Sequence, residues 1–153
     1  MDKFELSISQ VDFDGKKVAV VDIYINGRNL IDIAKEVEIP FAKAEGHPDI
    51  AGGYMGLPPE GVFYPSKHLL GEPNRRFGYT DKTTVLVCGS CGEGGCWPLE
   101  VKITVSEDKV VWSDFGQPHR GPYSKSSHWK YDNLGPFIFD RKQYESELRK
   151  KID

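Results

Sequence analysis

The stretch Leu99-Glu100-Val101-Lys102-Ile103-Thr104-Val105-Ser106-Glu107-Asp108-Lys109-Val110-Val111-Trp112-Ser113-Asp114-Phe115 decides the fold. Leu99, Val101, Ile103 and Val105 alternate strictly with Glu100, Lys102 and Thr104, the period of a strand with one face on a core and one in water. Ser106 to Lys109 is a polar turn, and Val110 to Phe115 is apolar again, so the two runs predict an antiparallel pair.

Outward from this pair, Thr83 to Cys88 is a short apolar run and Pro136-Phe137-Ile138-Phe139 offers a last short strand. Asp140 and Gln143 form a capping pair for a C-terminal helix with Tyr144, Leu148 and Ile152 on its apolar stripe. Arg149, Lys150 and Lys151 are then cations at that helix's end. At the other terminus Phe4, Leu6 and Ile8 alternate with polar residues before the apolar phase slips to Val11 and Phe13, which predicts a bulge near Ser9-Gln10. Asp14-Gly15 suits a two-residue hairpin turn, and Val18 to Ile25 supplies the return strand. After Asn26-Gly27, the residues Leu30, Ile33, Ala34 and Val37 recur at helical spacing, with Asn29 as cap, Asp32 at the third position and Pro40 as the expected end. Between Pro40 and Asp81 stand seven glycines and six prolines without sustained periodicity, apart from a short turn of helix at Ser66 to Leu70. The order is that of an α+β single domain, residues 1–153, mainly an antiparallel sheet of five to six strands with an N-terminal-half helix, a long irregular loop and a C-terminal helix.

Net charge is −3, which argues against the basic footprint of a nucleic-acid binder and against an anionic membrane surface. The charged N-terminus lacks the apolar core of a signal peptide, and no run approaches the roughly 18 apolar residues of a membrane helix. A cytoplasmic protein with a protein or small-molecule partner is the expectation. An odd cysteine count in that compartment does not favour a disulfide framework.

All three cysteines fall in Cys88-Gly-Ser-Cys91-Gly-Glu93-Gly-Gly-Cys96-Trp97-Pro98. A Cys-x2-Cys turn presents two sulfurs at tetrahedral spacing, and the glycines free nearby amides to donate to thiolates, so Cys88, Cys91 and Cys96 are candidate zinc ligands. His119, His128 or His68, or Glu93 nearby, would supply the fourth, and His119 completes the preferred set. The other reading is structural, with buried cysteines at a strand end and a tight glycine turn. Thiol redox chemistry ranks behind both, because proline and a strand follow where a reactive pair needs a helix N-terminus. Zinc is the one cofactor the chain suggests.

Asp114-Phe115-Gly116-Gln117-Pro118-His119-Arg120 concentrates a carboxylate, an amide, an imidazole and a guanidinium, a set that binds an anion, moves a proton or holds its own loop together. Tyr123, Trp129, Tyr131, Phe137 and Phe139 are read as core and sheet cover. Dinucleotide, phosphate-loop, nucleophile-elbow and His-Glu-x-x-His signatures are absent. The chain therefore predicts a binding or interaction module. The alternative is an enzyme whose site joins the Asp114 to Arg120 loop, the cysteine segment and the 40–81 excursion, with His119 as acid or base, Arg120 as anion clamp and Cys88 or Cys91 as ligand or nucleophile.

Together, Cys88 to Leu99, Asp114 to Arg120 and Leu134-Gly-Pro136-Phe137-Ile-Phe139-Asp140-Arg-Lys-Gln-Tyr144 resemble a family of uncharacterised bacterial proteins, with a weaker match at Pro65 to Gly71. The resemblance implies a bacterial, cytoplasmic origin. It implies no substrate and no catalytic residue.

Overall fold

Asp14 and Gly15 take φ values of 52° and 78°, the left-handed pair that a two-residue hairpin turn requires, and join β1 (Phe4–Phe13) to β2 (Lys16–Ile25). The computed structural model describes residues 1–78, 80–90, 96–125 and 127–150. Register runs unbroken from Phe4 against Ile25 to Phe13 against Lys16, so there is no bulge at Ser9-Gln10. The phase slip has a different cause: Phe4 and Leu6 are buried, while from Ser7 onward no residue of β1 is buried and neither face of this strand is obliged to be apolar. A second left-handed pair, Asn26 and Gly27 at 53° and 81°, folds the two-residue β3 (Arg28–Asn29) back onto β2.

Asn29 Oδ1 accepts from the Ile31 amide at 2.9 Å and starts α1 (Leu30–Ala44), where Leu30, Ala34, Glu38 and Ala42 share one buried face. Pro40 lies inside this helix and does not end it. Proline in a helix interior costs about 3 kcal/mol, but the turn that follows buries Ala42 and stacks Phe41 on Trp129 at 6.4 Å, and that packing carries the helix through. Between α1 and the next long strand come short 3-10 turns at Pro48–Ile50, Pro59–Gly61 and His68–Leu70, the last where a helical turn was expected, and the two-residue β4 (Tyr54–Met55).

The second sheet is antiparallel in the order β4, β5 (Thr83–Cys88), β6 (Leu99–Val105), β7 (Lys109–Gly116), β8 (Phe137–Asp140). Eight described strands in two sheets thus replace the expected five to six, because β3 and β4 are too short to show a period. Asp140 caps α2 (Arg141–Leu148) by accepting from the Gln143 amide at 3.0 Å. The Gln143 side chain does not return to the cap. It accepts from the Phe4 amide at 3.1 Å and donates to the Phe4 carbonyl, while Glu147 accepts from the Leu6 amide at 2.8 Å and Lys150 donates to the Leu6 carbonyl at 3.0 Å. Three side chains of the C-terminal segment therefore take the place of a neighbouring strand along the outer edge of β1.

Phe4 joins the two sheets to α2: its ring stacks on Tyr144 at 4.2 Å and meets Phe139 and Trp112 edge-on at 5.2 and 5.7 Å. Such pairs add roughly 0.5–1.5 kcal/mol each beyond the area they bury. Tyr144 and Leu148 are buried as the stripe predicts, and Lys151 and Ile152 lie outside the described residues. Trp129, Tyr131 and Phe139 are core, but Tyr123 is 99% exposed. No helix among the described residues is long and apolar enough to cross a membrane.

Candidate functional site

Because β5 and β6 are antiparallel neighbours, Cys88 at the end of one and Cys96-Trp97 before the start of the other lie at the same end of the sheet. Cys88 is buried and Cys96 exposed, whereas Cys91 and Glu93 lie outside the described residues. The His119 ring lies parallel to Trp97 at 6.0 Å, so this histidine is brought beside the cysteine segment. Among the described residues no three His, Cys, Asp or Glu side chains are grouped to hold a metal ion. His68 is committed elsewhere: it is buried, its Nδ1 accepts from the Asn74 amide at 2.8 Å, and its Nε2 therefore carries the proton and donates to the Thr84 carbonyl at 2.6 Å. Burial holds its pKa below the usual imidazole value. His128 is exposed and lines a separate cleft.

Arg120 is also committed. Its Nε donates to Glu45 at 3.1 and 3.2 Å, and its guanidinium lies over both the Trp97 and Trp129 rings at 5.1 and 5.6 Å from their centres. Glu45 accepts from the Ser127 hydroxyl and the Trp129 indole as well. Burial alone would push the Glu45 carboxyl up, but Ser127, Arg120 and Trp129 together hold it below the usual carboxylate range. Two helical turns earlier on the same face of α1, Glu38 is fully buried and accepts from the hydroxyls of Tyr54 and Tyr131 and from the Gly52 amide at 2.8 Å. Burial raises its pKa despite those donors. Gln117 donates to the Tyr54 hydroxyl at 3.2 Å and accepts from the His119 amide at 3.2 Å. Two glutamates, Glu38 within α1 and Glu45 at its C-cap, thus hold the loop from Gln117 to Tyr131 in place.

That loop roofs a cleft of about 780 Å³ against β6 and β7, lined by Lys82, Glu100, Asp114, Phe115, Gln117, Trp129, Tyr131 and Leu134 among others. Glu100 was expected on the wet face of its strand but is 4% exposed. The physical reason is a pair of irregularities on either side of it. β5 carries an extra residue at Val85 opposite Glu100 and Leu99, and β7 places Asp114 and Phe115 against Val101 alone, with Asp114 at φ 53°. Bulges of this kind re-aim side chains and are frequent next to active sites. Thr80 Oγ1 donates to Glu100 Oε2 at 2.6 Å, and among the described residues no second donor reaches this carboxylate. Burial raises the Glu100 pKa, with Thr80, Lys82 and His119 pulling it back down. Lys82 Nζ donates to the Asp114 carbonyl at 2.7 Å.

Of the residues expected at a site, Asp114 to Pro118 line this cleft, whereas Cys88, Cys96, His119 and Arg120 do not. Glu100 and Lys82 carried no motif to single them out. A scan against protein-family models, a search of curated proteins and a search of solved structures each return no match.

Proposed function

We propose that the protein is a small cytoplasmic binding module whose ligand occupies the cleft between β6, β7 and the 117–131 loop. One observation carries this reading: a carboxylate 4% exposed, with a single donor among the described residues, lines a cleft whose size falls in the range of small-molecule sites. The cysteine segment then has a supporting role, fixing the strand ends next to the loop, and zinc on Cys88, Cys91, Cys96 and His119 is the metal form of the same reading. A fragment library screened by amide and indole NMR shifts tests the binding role. Hits should shift the signals of Lys82, Glu100 and the Trp129 indole; hits that cluster on another face sink it. Metal analysis of protein purified without added zinc should give about one equivalent if the tetrahedral site exists, reduced in Cys91→Ser, and no bound metal removes that form.

One observation favours the enzyme reading as an alternative. A carboxyl held above its usual pKa in a cleft is suited to general acid work, and that carboxyl is Glu100. Prolonged incubation of any cleft ligand with the protein, followed by mass spectrometry, would return that ligand unchanged if no chemistry occurs.

A further inference from the structure

Besides the Tyr131 phenol, which is bonded to Glu38, six acidic or basic residues line the cleft, and they divide by depth: Asp114, His128, Lys130 and Asp132 are exposed, whereas Lys82 is half-buried and Glu100 buried. Charges at the rim are screened by water and discriminate weakly. The two inner groups have opposite sign and unused bonding capacity. Among the described residues Glu100 accepts from Thr80 alone, and an ammonium has three donors of which Lys82 uses one, on the Asp114 carbonyl. They attract each other, yet among the described residues they form no ion pair within 4 Å. An acid and an ammonium held apart inside one cleft are complementary to a molecule carrying the reverse pair. Phe115 and Leu134 add an apolar wall for whatever such a molecule bears besides its charges.

We propose that the cleft binds an α-amino acid with an apolar side chain, its ammonium on Glu100 and its carboxylate on Lys82. This rests on the binding role proposed above and names its ligand class. A buried carboxylate with one donor gains most from a cationic donor brought in by a ligand, because burial of an unpaired charge is costly. Lys82 then supplies a point charge for the ligand's carboxylate, and the separation of the two groups selects against molecules with one charge.

Calorimetric titration of the full chain with leucine, phenylalanine, N-acetyl-leucine and isoamylamine tests this. The amino acids should bind at least about tenfold more tightly than either single-charge analogue, since each analogue leaves one charged group of the site unpaired. Glu100→Gln should weaken leucine about tenfold or more with little effect on N-acetyl-leucine, and Lys82→Met should weaken leucine without affecting isoamylamine. Equal affinity for leucine and either analogue, or an unchanged leucine affinity in both variants, overturns the ligand class. The analogue series needs only the unaltered protein, so it decides the matter even if a variant fails to fold. Fragments of other charge that shift cleft signals while leucine does not would end the amino-acid assignment and leave the binding role standing; no cleft shift with any compound ends both.

Discussion

Glu38 and Glu100 are both shut away from solvent, at 0% and 4% exposure, and burial raises the pKa of each, yet their surroundings are opposite. Glu38 sits mid-helix with two tyrosine hydroxyls and a backbone amide on its oxygens. Glu100 sits between two strand irregularities, beside a cleft, with one threonine hydroxyl. A buried carboxylate that is fully hydrogen-bonded by its own chain is a structural joint. One left under-bonded at a cavity wall is the kind of group on which the proposed binding role rests.

The sharpest way to break this contrast is Glu38→Ala. Two phenols and the Gly52 amide lose their acceptor, and unmet buried donors cost 1–3 kcal/mol each, so a stability loss of about 4 kcal/mol is expected in urea unfolding. A loss below about 1 kcal/mol would mean the network is dispensable. Arg120→Ala should come next, at about 2 kcal/mol, because it removes the ion pair to Glu45 and the cation resting on two indoles, and the Trp emission should shift with it.

Glu100→Gln should go the other way. An acid whose pKa is raised by folding favours the native state below its ordinary pKa, and that advantage is lost as pH rises through the folded value. Replacing Glu100 should therefore raise stability at neutral pH by on the order of 1 kcal/mol, and should flatten the gain that the parent protein shows on acidification. Thermal melts from pH 4 to pH 8 would check it, and a destabilised variant at neutral pH would place Glu100 with Glu38. Glu45 has the reverse sign: its lowered pKa gives stability above the ordinary value that is lost as pH falls, so Glu45→Gln should cost stability near neutrality and narrow the difference from the parent in acid. The smallest effect should be Tyr123→Ser, within about 0.5 kcal/mol, since the ring is almost wholly in solvent.

The contrast also explains what could be read from the chain beforehand. The Asp14-Gly15 hairpin turn, the Asn29 and Asp140 caps and strands β5 to β8 were legible because period, turn chemistry and capping are local. Pro40 misled because the packing that carries α1 through it, Phe41 on Trp129, comes from a residue far along the chain. Glu100 misled for a related reason: alternation within β6 placed it with Lys102 and Thr104, while the irregularities that bury it belong to β5 and β7. A carboxylate 4% exposed leaves no period in its own strand. The loop from Asp114 was legible as a concentration of functional groups, but not that Arg120 and Gln117 hold the loop while Asp114 faces the cleft.

The pairing of β1 with Gln143, Glu147 and Lys150 bears on how the chain is made. The side-chain cover of β1 is synthesised well over a hundred residues after the strand itself, with separations of 139 and 141 for the Phe4 and Leu6 amides. At about 5–20 residues per second, the amides and carbonyls of Phe4 and Leu6 would stay without those partners for roughly 7–30 s, open to any other strand nearby. A chain stopped before Arg141 would keep that exposure permanently and should aggregate from its first strand, however well its second sheet had formed.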